Sequence, residues 1–247
     1  VKTLPLDKHF RVAETASMRS AWGDPKALVL AIQGGRNAGH DHRHVELGSF
    51  ILEALGVRWA IDLGTEHQTY LRHTHNSKRY DFYRTRAEGQ NTLVFNPSLE
   101  PEQKIPCFAP IIEFKSEPEL ASAVVNLDEA YSKHSKRVRR RFSLVDRKSV
   151  TVADEIEAKR PSDLWWLMHT RADVEVDAAA GTYELSTEQQ GIVGILNDLH
   201  KGRDTDSSWG WLIDASAIFL VAISATGLGL QLVLKARRRP ALVIAAL

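Results

Sequence analysis

Two histidines two residues apart, His42 and His44, stand in the run Asp41-His42-Arg43-His44-Val45-Glu46, after a glycine-bearing turn and before an apolar stretch. In extended backbone, positions i and i+2 project to the same side, so both imidazoles can address one pocket. Neutral imidazole is a common metal ligand and titrates near neutral pH, so such a pair can hold a metal or move a proton. A carboxylate such as Asp62, at the end of the next strand-like run, Arg58–Gly64, completes such a site if the two strands pair. A polar surface loop with incidental histidines explains the same spacing, and spacing alone leaves both readings open. His67, His73 and His75 fall in a polar stretch with no strand register and read as exposed loop histidines.

A second polar run, Arg84–Thr92, feeds into a strand and carries Arg86. Guanidinium pairs bidentately with carboxylate or sulfate, which would suit an acidic sugar; a solvated strand edge accounts for the run equally well. Trp165 and Trp166 are adjacent, and neighbouring strand residues point to opposite faces, so at most one can stack on a sugar. The sequence holds no glycine-rich phosphate loop, nucleophile elbow or Cys/His dyad.

The elements that must position these groups are read from a chain of 247 residues, with 32 Lys+Arg against 31 Asp+Glu. A formal charge of +1 gives no electrostatic case for nucleic acid. The single cysteine, Cys107, excludes an intrachain disulfide and a cysteine zinc cluster. Apolar and charged contents of 43% and 26% are those of a globular protein. The chain starts at Val1 with no signal segment, which reads as a processed or fragmentary start. Strand-like runs occupy Ala27–Ile32, Ser49–Leu55, Val57–Leu63, Thr92–Asn96, Ile111–Phe114, Ala121–Leu127, Arg139–Val145 and Ser149–Ile156, separated by turn residues. The last two form a hairpin with Phe142, Leu144, Val150 and Val152 inward. Many strands without alternating helices predict a mainly β protein, an antiparallel sandwich.

After residue 183 the character changes. A short helix is expected from Ser186 or Thr187, carrying Ile192, Val193, Ile195, Leu196 and Leu199. Trp211–Leu234 is apolar, and its last 20 residues are uncharged, about 30 Å of helix and enough to cross a bilayer. Four cations in Lys235–Arg239 place that end in the cytoplasm, with residues before Trp209 outside. The segment after Pro240 reads as the start of a second span. The expected divisions are a sandwich over 1–183, a juxtamembrane linker and helix over 184–208, and a transmembrane helix with basic flank over 209–247.

The runs GGRNAGHDHRHVELGSFILEALGVRWAIDLG, RYDFYRTRAEGQNTLVFNP, RRFSLVDRKSVTVADEI and DLWWLMHT, in this order, resemble the C-terminal β-sandwich of the heparinase II/III-like polysaccharide lyases. Such proteins pair an α/α toroid with the sandwich and cleave uronate-containing glycans by β-elimination, in which a base removes the proton next to the carboxylate and an acid protonates the leaving oxygen. The resemblance implies His42 as base or carboxylate neutraliser. It implies a structural zinc at His44, Asp62 and the third position, where Gln90 replaces the family's histidine and is a poor zinc ligand. Glu46 stands where an aspartate is usual. The toroid's catalytic tyrosine and asparagine or histidine have no counterpart, so the chain alone is expected to be inactive.

The tail ELSTEQQGIVGILNDLHKGRDTDSSWGWLIDASAIFLVAISATGLGL resembles the PepSY-associated transmembrane proteins of bacterial inner membranes. In it His200 reads as a juxtamembrane structural residue. Together the resemblances imply a carbon–oxygen lyase fragment acting on acidic polysaccharide such as heparan-like or alginate-like glycan, periplasmic and anchored in inner-membrane lipid by residues 211–234. The alternatives are a non-catalytic glycan-binding or scaffold sandwich on the same tether, or a PepSY-type membrane subunit with a passenger domain.

Overall fold

The computed structural model describes residues 4–37, 43–64, 77–187 and 214–226. It divides into two units, Val1–Ser186 and Thr187–Leu247.

In the first unit, strands β1 (Lys8–Phe10), β2 (Thr15–Arg19), β3 (Val29–Gln33), β5 (Phe50–Ala54) and β6 (Val57–Ala60) form one antiparallel sheet in the order β1-β2-β3-β5-β6. Strands β9 (Ile111–Ser116), β10 (Leu120–Asn126), β11 (Ser135–Val145) and β12 (Ser149–Ala158) form a second, in the order β12-β11-β10-β9. Short pairs join β4 (Gly35–Arg36) to β8 (Phe108–Ala109), β7 (Leu93–Phe95) to β13 (Leu164–Trp166), and β14 (Asp173–Asp177) to β15 (Thr182–Ser186). Three short 3-10 turns, Ser77–Asp81, Tyr83–Thr85 and Ala87–Gly89, lead into β7.

One hydrophobic cluster takes side chains from both large sheets: Met18, Leu30, Ile32 and Phe50 from the first, Ala123, Val125, Phe142 and Leu144 from the second. The Phe50 and Phe142 rings meet at 5.7 Å between centroids. This is the two-layer arrangement that alternating strands produce when each buries one face. The expected hairpin is present as β11–β12: Phe142 pairs Val152 and Leu144 pairs Val150. Its turn places Asp146 and Arg147 at φ 49° and 57°, with Lys148 N–H donating to the Val145 carbonyl. Two consecutive left-handed residues are the primed turn that matches strand twist.

Alternation along β11 puts Arg140 in the core, between inward Val138 and Phe142, with no solvent exposure. Its guanidinium grips both Asp154 oxygens at 2.7 and 3.0 Å and donates to the Gly48 and Asn91 carbonyls at 3.0 and 3.2 Å. Gly48 sits at φ 80°, where a Cβ would lie 2.8 Å from Leu127 Cδ1; only glycine lets this loop come so close. The core arginine therefore fastens both loops that carry the candidate site.

Four differences from the sequence expectations stand out. Strands β1 and β2 were not anticipated, since their stretches are charged or small. Strands β14 and β15 were not anticipated either, and β15 carries the first unit past residue 183 to Ser186. Ser186 ends a strand, so a helix does not begin there; the rest of that expected helix lies outside the described residues. Finally, the expected transmembrane span is described only as a helix over 214–226, and no helix among the described residues is long and apolar enough to cross a membrane. Its remainder, 211–213 and 227–234, lies outside the described residues.

Candidate functional site

His42, with His67, His73 and His75, lies outside the described residues. His44 sits in the irregular loop between β4 and β5, so the local backbone there is not the extended strand that the spacing suggested. The expected strand pairing is present: β5 and β6 are antiparallel, with Leu52 opposite Ala60, which returns Asp62 alongside the end of the His44 loop. Gln90 follows the third 3-10 turn and is buried with Asn91 and Thr92. These three polar residues replace the solvated edge that the sequence allowed.

Gln90 brings His44 and the 84–92 loop together. Its Nε2 donates to the Arg84 carbonyl at 2.7 Å and lies 3.4 Å from His44 Nδ1, while its buried Oε1 has no hydrogen-bond partner among the described residues. With an amide N–H against Nδ1, the imidazole carries its own proton on Nε2. Burial and the Arg79 charge hold the His44 pKa below its ordinary value, and the Asp62 carboxylate opposes them. Glu46, two residues on, is pushed up to about 7 by burial and then by Asp62, against the Arg43 and Arg79 charges. A carboxyl that exchanges its proton near neutrality beside a neutral imidazole is a proton-handling arrangement.

Zinc needs several lone pairs converging at about 2 Å. Among the described residues no group of three or more His, Cys, Asp or Glu could hold a metal ion. At the third position an amide nitrogen, which has no lone pair to offer, faces His44. The described donor set, His44, Asp62 and Gln90, does not fit zinc.

Arg86 has a different use from the one expected. All three of its nitrogens donate inside the fold, to Glu88 at 2.7 and 3.0 Å, to Glu102 at 2.6 Å and to the carbonyls of Ser98, Leu99 and Glu100. It ties down the 98–102 loop while lining, with Tyr83 and Trp165, one cleft of the surface.

Two residues that sequence reasoning left without a role, Tyr83 and His169, complete the cluster. The Asn91 amide nitrogen donates to the Phe50 and Ile61 carbonyls at 2.7 and 2.9 Å, which makes its Oδ1 an acceptor. That oxygen receives the His169 backbone N–H at 2.6 Å and Nδ1 at 3.2 Å, so His169 is protonated on Nδ1. Its Nε2 then accepts from the Tyr83 hydroxyl at 2.9 Å. Burial lowers the His169 pKa and, together with Glu88, raises that of Tyr83. The pair therefore rests as a phenol donating to a neutral imidazole. His169 falls in DLWWLMHT and Asn91 beside Gln90, so both were in view; only the fold shows that they meet. Trp165 is exposed and lines a cleft of about 270 Å³ with Tyr83, whereas Trp166, exposed as well, lies on the other face with its ring near Phe50 and Arg140. At most one of the two can stack, as alternation requires.

This two-sheet fold is shared with polysaccharide lyases of known structure. Heparan sulfate lyase HepC from Pedobacter heparinus superposes with a TM-score of 0.55 at 16% identity, covering 70% of this chain and 25% of that one. One heparinase III gives 0.56 at 14% identity over 71% and 26% of the two chains, and another 0.55 at 17% over 72% and 27%. The chain thus spans about a quarter of the length of these proteins. No curated protein matches the sequence. The chain belongs to the family described as Putative PepSY_TM-like, whose model matches residues 117–247. That match begins well before the expected tail and runs unbroken from β10 through Gly181 to the C-terminus.

Proposed function

We propose that the first unit is the sandwich portion of a polysaccharide lyase acting on uronate-containing glycans by β-elimination. The observation that carries this is the gathering of His44, Glu46, Asp62 and the Tyr83–His169 pair at one end of a fold shared with heparan sulfate lyase HepC and heparinase III. In this reading His42 serves as base or carboxylate neutraliser, and Tyr83, hydrogen-bonded to a neutral imidazole, exchanges a proton with the reacting sugar. Trp165 supplies a stacking face beside it. Because the chain spans a quarter of those enzymes, turnover requires an α/α toroid, and the chain alone binds acidic glycan without cleaving it. Zinc occupancy would require a ligand that Gln90 does not supply.

The test is to measure heparan sulfate and alginate binding by the chain calorimetrically, and double-bond formation by ultraviolet absorbance. Binding without turnover is expected. Failure to bind any acidic glycan overturns the reading.

A second reading is favoured by the family match through the tail and by the exposed apolar side chains of helix 214–226, including Ile218, Phe219 and Val221. In it the sandwich is a non-catalytic glycan-binding module tethered through residues 211–234 to the inner membrane and facing the periplasm. Detergent-dependent extraction of the full chain supports the tether, which both readings share. Turnover in a toroid-restored protein separates them.

A further inference from the structure

A cavity of about 350 Å³ opens where β7, the Glu129–Ser135 turn and the start of the β13 segment meet, lined by Asn96, Ser98, Glu102, Lys133, His134 and Arg160. Its wall is built around a locked imidazole. Asn96 adopts φ 46°, a left-handed position that asparagine tolerates better than most residues. Its backbone N–H donates to the Asp163 carbonyl and its Oδ1 accepts the Asp163 N–H, each at 2.9 Å, which orients the side-chain amide. The Nδ2 group therefore faces His134 Nδ1 at 3.2 Å, so the proton of that ring is on Nε2. The ring is stacked flat on Phe95, at 2° between planes, and is buried.

We propose that this cavity is an oxyanion site, in which His134 Nε2–H and the Lys133 and Arg160 cations receive a sulfate, phosphate or carboxylate group. The cations around it are only lightly engaged. Lys133 meets Glu100 at 3.5 Å with both side chains largely exposed, and Arg160 makes no ion pair among the described residues. Lys159, next to Arg160, donates to the Ser132 carbonyl. The acid on the wall, Glu102, holds Arg86 through Oε1 at 2.6 Å, and its Oε2 is buried without a hydrogen-bond partner among the described residues. Charge-assisted hydrogen bonds from arginine, lysine and a fixed N–H are the means by which proteins hold oxyanions. Burial, Lys133 and Arg160 depress the His134 pKa, as expected of an imidazole in a cationic site with no anion present. The proposal is independent of the lyase reading, since its test is anion binding alone.

The experiment follows the His134 imidazole resonance of the full chain by NMR during titration with inorganic sulfate and then inorganic phosphate. A saturable shift and a raised His134 pKa are expected, with affinity weakened at least tenfold in the double variant Lys133→Ala/Arg160→Ala. Both side chains are exposed, so that variant keeps the core. Repeating the titration with a heparan sulfate oligosaccharide identifies the source. Binding tighter than free sulfate assigns the site to a glycan sulfate, and binding no tighter assigns it to a free anion. No saturable shift of His134, or an unchanged shift in the double variant, overturns the proposal.

Discussion

The His44 site and the His134 cavity use the same device in different electrostatic settings, one of mixed charge and one of cations. In each, a buried imidazole has Nδ1 faced by a side-chain amide, from Gln90 in one and Asn96 in the other, leaving its proton on Nε2. Around His44 stand Glu46 and Asp62 together with the Arg79 and Arg43 cations, and the Glu46 carboxyl is pushed up to about 7 by burial and Asp62. Around His134 stand Lys133 and Arg160, with the nearby acid Glu102 held by Arg86. An imidazole between acids and cations is placed to exchange protons, and one among cations alone to hold an anion. The ring is the same, so the neighbours decide the chemistry.

The largest expected effect that separates the two regions comes from the core beneath the first. Arg140→Met leaves the partly buried Asp154 without its partner and the Gly48 and Asn91 carbonyls without a donor, and should cost about 3 kcal/mol in chemical denaturation. Because Arg140 also holds the Asn91 carbonyl, the His169 resonance should move while that of His134 stays. Equal movement of both would break the comparison.

Glu46 comes next, through pH. Its folded pKa, about 7, lies above the unfolded value near 4.5, so between those limits the folded state binds more protons. Stability from this group is therefore full below about 4.5 and falls as pH rises through 7, by on the order of 3 kcal/mol. Glu102, also raised to about 7, adds a loss of the same sign. Denaturation midpoints of Glu46→Gln measured across this range should show a flatter slope than those of the unaltered chain. An unchanged slope contradicts the burial assigned to Glu46.

Asn91→Ala strands the Phe50 and Ile61 carbonyls and frees His169, at about 1–3 kcal/mol. The nitrogen-15 shifts of His169 should then report a changed tautomer. Gln90→His supplies the lone pair that the third position lacks, and should raise zinc affinity at least tenfold, about 1.4 kcal/mol, by calorimetry. No gain means that His44 and Asp62 do not converge. Tyr83→Phe is the smallest, about 1 kcal/mol or less in stability.

Much of the two-sheet frame was legible because alternation is a local property. The β11–β12 hairpin could be read from Phe142, Leu144, Val150 and Val152 alone. Strands β1 and β2 could not, because β1 is three residues long with His9 at its inward position and an exposed Phe10, and β2 turns only Ala16 and Met18 inward, too little to register as a period-two signal. Arg140 was hidden for a related reason: in a run of charged residues nothing local marks the one that turns inward and pairs with Asp154 on the neighbouring strand. The adjacency of Asp62 to the His44 loop followed from pairing two consecutive strands. The Tyr83–His169 contact joins residues 86 positions apart, a relation that only tertiary folding creates. Arg86 misled because arginine next to a strand suits a ligand and a buried loop clamp equally, and the fold chose the clamp.

The most direct test replaces the sandwich of heparinase III with residues 1–186 of this chain and follows unsaturated uronate formation on heparan sulfate by ultraviolet absorbance. The account predicts measurable turnover that falls at least a hundredfold in His42→Ala, with glycan binding little changed. A chimera that binds heparan sulfate but forms no double bond, or one in which His42→Ala has no effect, contradicts it and leaves the tethered binding module as the better description.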